Sequence, residues 1–347
     1  MNNRIDWIDI IRGIAIILVI MGHFQYSPDN ISLRNAIYVF HMSMFFVLAG
    51  CTAELSMRKS PSIQLFIKNK IWALFIPYTI WSFLPLPLAH YSNFLQYDFY
   101  QRFIIYISGR CNDGGCFWFL ICLFVFQLLF CAYTWFEKRK VSASLRILLV
   151  CITFTLIFVA KKLWSDDGFG FGLACQTYLF FIPFLAGVCI IKYEKVKNIL
   201  LSKWFLTLFV MAAMYFVNIK ESIPHSAFLS RLTGIGITCL FISIIERQKL
   251  SQYRICQFIS VIGKYSLAIY IFHYLFLDSF NIISFFNLST ARPTLLFCFL
   301  LPSSIIISIL CICISKVIET SPILSLYMLG KNTKKAQSKK QRQPESN

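Results

Sequence analysis

Residues 8–23 read IDIIRGIAIILVIMGH, an apolar run that contains one arginine, Arg12, and one histidine, His23. An ionisable side chain inside an apolar helix is costly in lipid, so these two residues indicate a functional helix rather than a plain anchor. Their separation of eleven residues makes about three full turns at about 100° per residue, which places both side chains on one face. Along the axis they lie about 16 Å apart, roughly half the thickness of the hydrocarbon core of a bilayer.

The rest of the chain is similarly apolar. Of its 347 residues, 58% are hydrophobic and only 14% are charged, and the mean hydropathy is +0.67. This composition excludes a soluble enzyme, a disordered chain and a disulfide-stapled secreted domain. The net charge of +18 could indicate a nucleic-acid partner, but in so apolar a chain it is better explained by basic loops that face the cytoplasm. We therefore predict a multi-spanning membrane protein with no nucleic-acid partner.

Apolar runs of about 17–25 residues are long enough to cross a hydrocarbon core of about 30 Å. The sequence predicts ten such helices, at 10–26, 37–55, 71–90, 117–136, 145–163, 175–192, 203–219, 227–245, 259–280 and 294–316. A split of the ninth helix or a re-entrant segment would change the count to nine or eleven. Lys and Arg concentrate in alternate loops, and the positive-inside rule then places both termini in the cytoplasm. The predicted fold class is all-α, with a transmembrane domain over 1–330 and a basic, disordered cytoplasmic tail over 331–347.

A second histidine, His41, lies about four residues into the second predicted helix, and His23 lies about three residues before the outer end of the first. The two imidazoles therefore fall at a similar depth on adjacent helices, where they could divide the work of general base and substrate orientation. Each residue also has a structural alternative. Arg12 can pair with Asp9, three residues earlier, and His23 can hydrogen-bond to a neighbouring helix. His41 taken alone leaves a structural and a functional role open.

The ninth predicted helix carries Ser266, Tyr270 and His273 at a four-then-three spacing, which puts them on one face. Such a polar stripe is expected to line a cavity rather than to face lipid. Cys111 and Cys116 flank a short glycine-containing turn in a loop that we predict to lie on the outer side of the membrane. The sequence leaves open whether they form a disulfide or stay two free thiols. No Cys/His spacing is typical of a zinc site, so we predict no metal.

These residues resemble the membrane-bound acyltransferase-3 family, whose first helix carries an Arg, ten residues and a His. Arg12 and His23 match that spacing, and three further stretches resemble family blocks in the same order, at 40–50, 118–120 and 263–270. The second of these blocks adds Trp118 to the candidate cavity, although composition alone favours an interfacial anchor there. The Met-Ser-Met stretch at 42–44 departs from the Pro-containing form of the sugar-acetylase branch, which leaves the subfamily open.

The resemblance implies an acyl-CoA-dependent O-acetyltransferase of the cell inner membrane, which acylates a hydroxyl of a surface glycan such as O-antigen or of a lipid-linked oligosaccharide. Acyl-CoA, commonly acetyl-CoA, would be the donor substrate, with no permanently bound cofactor. Arg12 would bind the donor phosphates through its planar guanidinium. His23 would act as general base, with His41 orienting the hydroxyl or stabilising the imidazolium, and an acyl-histidine intermediate stays open.

A different class of protein also uses charged intramembrane residues. A lipid-linked glycan flippase or a proton-coupled transporter is expected to show paired half-repeats and broken helices with several acidic residues. Acidic residues inside the predicted helices are scarce apart from Asp278. The sequence therefore favours the acyltransferase over the transporter.

Overall fold

The computed structural model describes residues 6–24, 26, 31–83, 98–100, 103, 106, 117–163, 173–218, 228–277, 282–286, 288 and 291–331. Within these residues the secondary structure is helical, without strands. In chain order the helices are α1 (Asp6–His23), α2 (Ile31–Lys59), α3 (Ile63–Lys70), α4 (Ile76–Phe83), α5 (Trp118–Lys138), α6 (Ala143–Leu163), α7 (Leu173–Lys192), α8 (Glu194–Leu200), α9 (Lys203–Asn218), α10 (Phe228–Arg247), α11 (Arg254–Lys264), α12 (Ser266–Leu277), α13 (Ile282–Phe285), α14 (Pro293–Glu319) and α15 (Pro322–Leu329). A π-helical turn at Ile71–Phe75 joins α3 to α4, and a 3₁₀ turn lies at Leu250–Gln252.

Five of the described helices are long and apolar enough to cross a membrane: α2, α5, α6, α7 and α14. The bent pair α11 and α12 would make a sixth. The apolar stretch of α6 has no buried residue, so its apolar surface faces outward, as it does in lipid. These helices confirm the predicted all-α membrane architecture. The count of ten helices and the cytoplasmic position of both termini stay predictions.

Helix α1 lies at the centre of the described helices. Most of its 18 residues are buried, and it packs against α2, α11, α12 and α14. The contact with α11 is a backbone contact, because a Cβ atom at Gly13 would lie 2.1 Å from the carbonyl oxygen of Ile259. A Cβ atom at Gly263 would lie 1.9 Å from the carbonyl oxygen of Asp9. Only glycine allows helices to approach this closely, so the two glycines fix α11 against α1.

The ninth predicted helix, 259–280, is divided in the structure. Helix α11 ends at Lys264, α12 begins at Ser266, and the two axes differ by 81°. Gly263 holds the end of α11 against α1, and the chain turns at Tyr265 before it continues as α12. A break inside an apolar segment is tolerated where the freed polar groups line a cavity rather than lipid.

The third predicted helix, 71–90, begins earlier in the structure, at Ile63, and its residues beyond Phe83 lie outside the described residues. The π-helical turn ends two residues before a proline, Pro77. Proline has no N–H, so the helical hydrogen bond from Pro77 to the carbonyl of Ala73 cannot form. The turn that results is wider than an α-helix, a feature frequent at functional sites.

The C-terminal part adds a helix that the sequence analysis does not predict. After α14 the chain turns at Thr320 and Ser321 and forms α15, which packs against α4 and α14. Gly330 ends α15, and Lys331 is the last described residue. The domain boundary at 330 stays a prediction. The rest of the predicted tail, 332–347, lies outside the described residues, as do Cys111, Cys116 and Asp278.

Candidate active site

A cavity of about 300 Å³ lies beside α1. On α1 its wall is formed by Arg12, Ile16 and Val19, which are four and three residues apart and therefore share one face. This is the face on which the sequence places Arg12 and His23. His23 follows Val19 by four residues, so the wall ends about one helical turn short of the imidazole.

One group of wall residues is basic. Arg12, Lys70, Lys264 and Lys331 all line the cavity, and we call this set the cationic group. The guanidinium of Arg12 lies 3.5 Å from the carboxylate of Asp9, which is the predicted structural pair, yet 24% of the Arg12 side chain stays exposed. Pairing with Asp9 and facing the cavity are therefore compatible. The sequence analysis did not single out the three lysines as candidate site residues.

The remaining walls are largely apolar and aromatic. Phe45, Phe119 and Tyr270 line the cavity, with ring centroids 5.4 Å apart for Phe45 and Phe119 and 5.3 Å apart for Phe119 and Tyr270. Ser266 also lines it, at the break between α11 and α12. The cavity therefore combines a positively charged group with an apolar channel, a combination that suits a ligand with an anionic head and an uncharged arm.

Tyr270 connects the cavity to a cluster of imidazole rings. Its ring centroid lies 6.1 Å from that of His273, which in turn lies 5.3 Å from that of His23. The hydroxyl of Tyr274 lies 2.9 Å from Nδ1 of His23, and its ring centroid lies 4.3 Å from that of His273. We call His23, His273 and Tyr274 the imidazole cluster.

His273 is fully buried, and its hydrogen bonds define its tautomer. Nδ1 lies 2.8 Å from the carbonyl oxygen of Tyr270 and 3.1 Å from that of Ile269, so Nδ1 carries the proton and donates. In the neutral ring Nε2 is then an acceptor, and it has no hydrogen-bond partner among the described residues. The cluster thus contains an unprotonated ring nitrogen on His273, near His23.

His41 is buried, and it reaches His23 through a tyrosine. Its Nδ1 lies 2.8 Å from the carbonyl oxygen of Ile37, so Nδ1 donates and Nε2 is the acceptor of the neutral ring. The ring centroid of Tyr38 lies 4.9 Å from that of His41 and 6.3 Å from that of His23. The bond from His41 to Ile37 lies within α2.

Two of the four predicted cavity residues, Ser266 and Tyr270, line the cavity. Trp118 instead stacks with Phe180 and Phe46, with centroid distances of 6.0 and 6.4 Å. Adjacent residues of a helix point about 100° apart, so Phe119 turns toward the cavity and Trp118 turns away from it. His273 lies almost one turn beyond Tyr270 and joins the imidazole cluster rather than the cavity wall.

Tyr274 is a functional candidate that the sequence analysis missed, in addition to the three lysines of the cationic group. It follows Tyr270 by four residues, a spacing that places both tyrosines on one face of α12. The predicted polar stripe continued from Tyr270 to His273, three residues later, and therefore did not include Tyr274. A search of α12 for every polar residue four positions apart would have found it.

The comparisons with known proteins identify the family of the chain. The chain matches the family described as an acyltransferase domain over residues 5–313. It belongs to the acyltransferase-3 family. The resemblance seen in the sequence is thereby confirmed, and membership of this membrane-embedded family accords with the apolar helices.

One relative is the nodulation protein NolL of Sinorhizobium fredii (strain NBRC 101917 / NGR234), whose sequence is 29% identical to this chain over 188 residues. The aligned part covers 51% of this chain and 50% of that protein, so the chain spans about half the length of this relative. No solved structure matches the chain. The family is therefore established, whereas the donor and the acceptor of this member are matters for a proposal.

Proposed function

We propose that this protein is an O-acyltransferase of the cell inner membrane that moves an acyl group, acetyl in the first instance, from cytoplasmic acyl-CoA to a sugar hydroxyl of an extracytoplasmic or lipid-linked polysaccharide. The observation that most supports this function is the position of the cavity relative to the two predicted residues. Its wall on α1 runs from Arg12 toward His23, and Tyr270 joins it to the imidazole cluster.

The donor would bind in the cavity as a substrate. Coenzyme A carries several phosphates, and the cationic group supplies the charge that recognises them. Arg12 contributes a planar donor fork that suits a phosphate, and the lysines contribute ammonium groups. The uncharged pantetheine arm would then lie along Ile16 and Val19, with the thioester at the end of the cavity where Tyr270 lies.

His23 would act as the general base. The hydrogen bond with Tyr274 holds its ring in place, and the neutral ring has one nitrogen free of a proton that can accept one. The sugar hydroxyl oxygen attacks the thioester carbonyl carbon while its proton passes to His23. A C–O bond forms, the C–S bond breaks, and the proton returns from His23 to the leaving CoA sulfur.

His41 would orient the acceptor sugar. Its Nδ1 donates to the carbonyl of Ile37, which fixes the ring, and the ring of Tyr38 lies against both His41 and His23. An acyl-histidine intermediate at His23 fits the same placement, because imidazole is also a nucleophile. Both routes require the thioester to pass the ring of Tyr270, which lies between the cavity and the imidazoles.

Membranes that contain the protein, given labelled acetyl-CoA and surface glycan, test this function. We expect label in the glycan with the wild type and near-complete loss with His23→Ala. His23→Gln serves as a second variant, since it keeps a hydrogen-bonding side chain but no base. If the wild type transfers no label and the cell nevertheless depends on it to export glycan, the protein is a flippase or transporter and the proposal is wrong.

A further inference from the structure

The residues that follow Glu319 lie beyond the part of the chain that matches the family, which ends at 313. We call residues 320–331 the C-terminal segment. It returns to the body of the protein, where the indole N–H of Trp81 donates to the carbonyl of Met328 over 2.7 Å. The rings of Trp72 and Tyr327 pack edge to face with centroids 5.6 Å apart. The segment is therefore docked on α4 and on the π-helical turn.

Gly330 sets the direction of the last described residue. Its φ is +63°, and a Cβ atom there would lie 2.6 Å from Cα of Ala73 and 2.7 Å from the carbonyl oxygen of Trp72. Glycine is thus required both by the left-handed backbone and by the contact with the π-helical turn. The turn at Gly330 directs Lys331 into the cavity wall.

Both the backbone and the side chain of Lys331 are held. Its N–H donates to the carbonyl of Ser325 over 3.0 Å, and its own carbonyl accepts from the Ser325 hydroxyl over 3.1 Å. The ammonium pairs with Glu319 and lies 4.3 Å from the ring centroid of Tyr265, at the break between α11 and α12. A lysine fixed in this way loses little conformational entropy when it binds an anion.

The charge around Lys331 favours an anionic ligand. Four cations line a cavity of about 300 Å³, and they repel one another. Within the described residues, Asp9 pairs with Arg12 and Glu319 with Lys331, and 34% of the Lys331 side chain stays exposed. Two carboxylates offset part of the charge of four cations, so the cavity keeps a positive balance that a polyanion neutralises.

We propose that Lys331 binds a phosphate of the acyl-CoA donor, which makes the C-terminal segment a part of the donor site. The proposal rests on the function proposed above and names a contact that lies outside the family's matched residues. Glu319 holds the ammonium in place before binding and shares it with the phosphate afterwards.

Binding of CoA and of 3′-dephospho-CoA to the full-length protein in lipid nanodiscs tests this contact. We expect Lys331→Gln to weaken CoA binding about tenfold, since a hydrogen bond to a charged group is lost, and Lys331→Arg to retain most of the affinity. A loss confined to CoA assigns Lys331 to the 3′-phosphate. An equal loss for both ligands assigns it to the diphosphate.

Lys316→Gln is the matched control, because this exposed lysine lies on α14 three residues before Glu319 and outside the cavity wall. It should leave CoA binding unchanged. If Lys331→Gln binds CoA as the wild type does and only its melting temperature falls, as it also falls for Glu319→Gln, Lys331 has a structural role and this inference is wrong. If the wild type itself binds no CoA, the proposed function fails as well.

Discussion

The cationic group and the imidazole cluster are built in different ways. The four cations come from four places in the chain: α1, the end of α3, the end of α11 and the residue after Gly330. The three members of the imidazole cluster come from only two helices, α1 and α12, and His273 is fully buried. In the proposed reaction, donor affinity is therefore distributed over several elements, whereas proton transfer depends on one side chain. Single substitutions should have partial effects in the first region and severe effects in the second.

The largest effect is expected at His23. Removal of a general base typically costs 10²–10⁴ in rate, so His23→Ala should lower kcat by at least about 100-fold. The Kd for CoA should stay within about twofold, because His23 lies beyond the end of the cavity wall. Single-turnover transfer and equilibrium CoA binding measure the two quantities separately. A parallel loss of rate and affinity would mean that the two regions are one site.

Gly263→Ala should damage both regions at once. The added methyl group meets the carbonyl oxygen of Asp9 at 1.9 Å, so α11 must move away from α1. Overpacking of this kind costs about 1–3 kcal/mol of stability, to be measured as a lower melting temperature in detergent. Gly22→Ala is the control: its methyl group meets the end of the Tyr38 side chain at 2.9 Å, which can shift, so the loss should be smaller. Equal losses would contradict the role of the backbone contact.

Tyr274→Phe tests how the cluster positions its base. Without the hydroxyl, the ring of His23 loses the hydrogen bond of 2.9 Å, and we expect kcat to fall about tenfold while the KM for acyl-CoA stays unchanged. Tyr253→Phe, at an exposed tyrosine before α11, should behave as the wild type. A raised KM with unchanged kcat would place Tyr274 in the donor site instead.

Arg12→Gln should have the smallest of these effects. One of four cations is lost, and Arg12 is already shared with Asp9, so we expect the KM for acyl-CoA to rise about fivefold with kcat unchanged. Steady-state rates at varied acyl-CoA concentration measure this split. Abolished binding would show that donor affinity is concentrated at Arg12 rather than distributed.

Geometry within one helix could be predicted from the sequence. The wall formed by Arg12, Ile16 and Val19 follows from the helical period alone, and so does the shared face of Ser266 and Tyr270. The family and the all-α membrane architecture were also predicted, from motif spacing and from apolar run length. In each case the information is contained in neighbouring residues.

Contacts between distant residues could not be predicted in this way. Next to the break at Tyr265, Gly263 meets a backbone carbonyl about 250 residues earlier in the chain, and an apolar run does not reveal that contact. Lys70, Lys264 and Lys331 converge only through tertiary packing. The same holds for Tyr274, which reaches His23 from the opposite end of the chain.

The single continuous helix that carries both Arg12 and His23 has a consequence for turnover. The axial rise of an α-helix is fixed at about 1.5 Å per residue, so α1 keeps the backbone positions of these two residues at a constant separation. Any rearrangement that carries the thioester past Tyr270 must then occur in the facing elements. In the proposed reaction those elements are α11 and α12, whose axes differ by 81° at Tyr265.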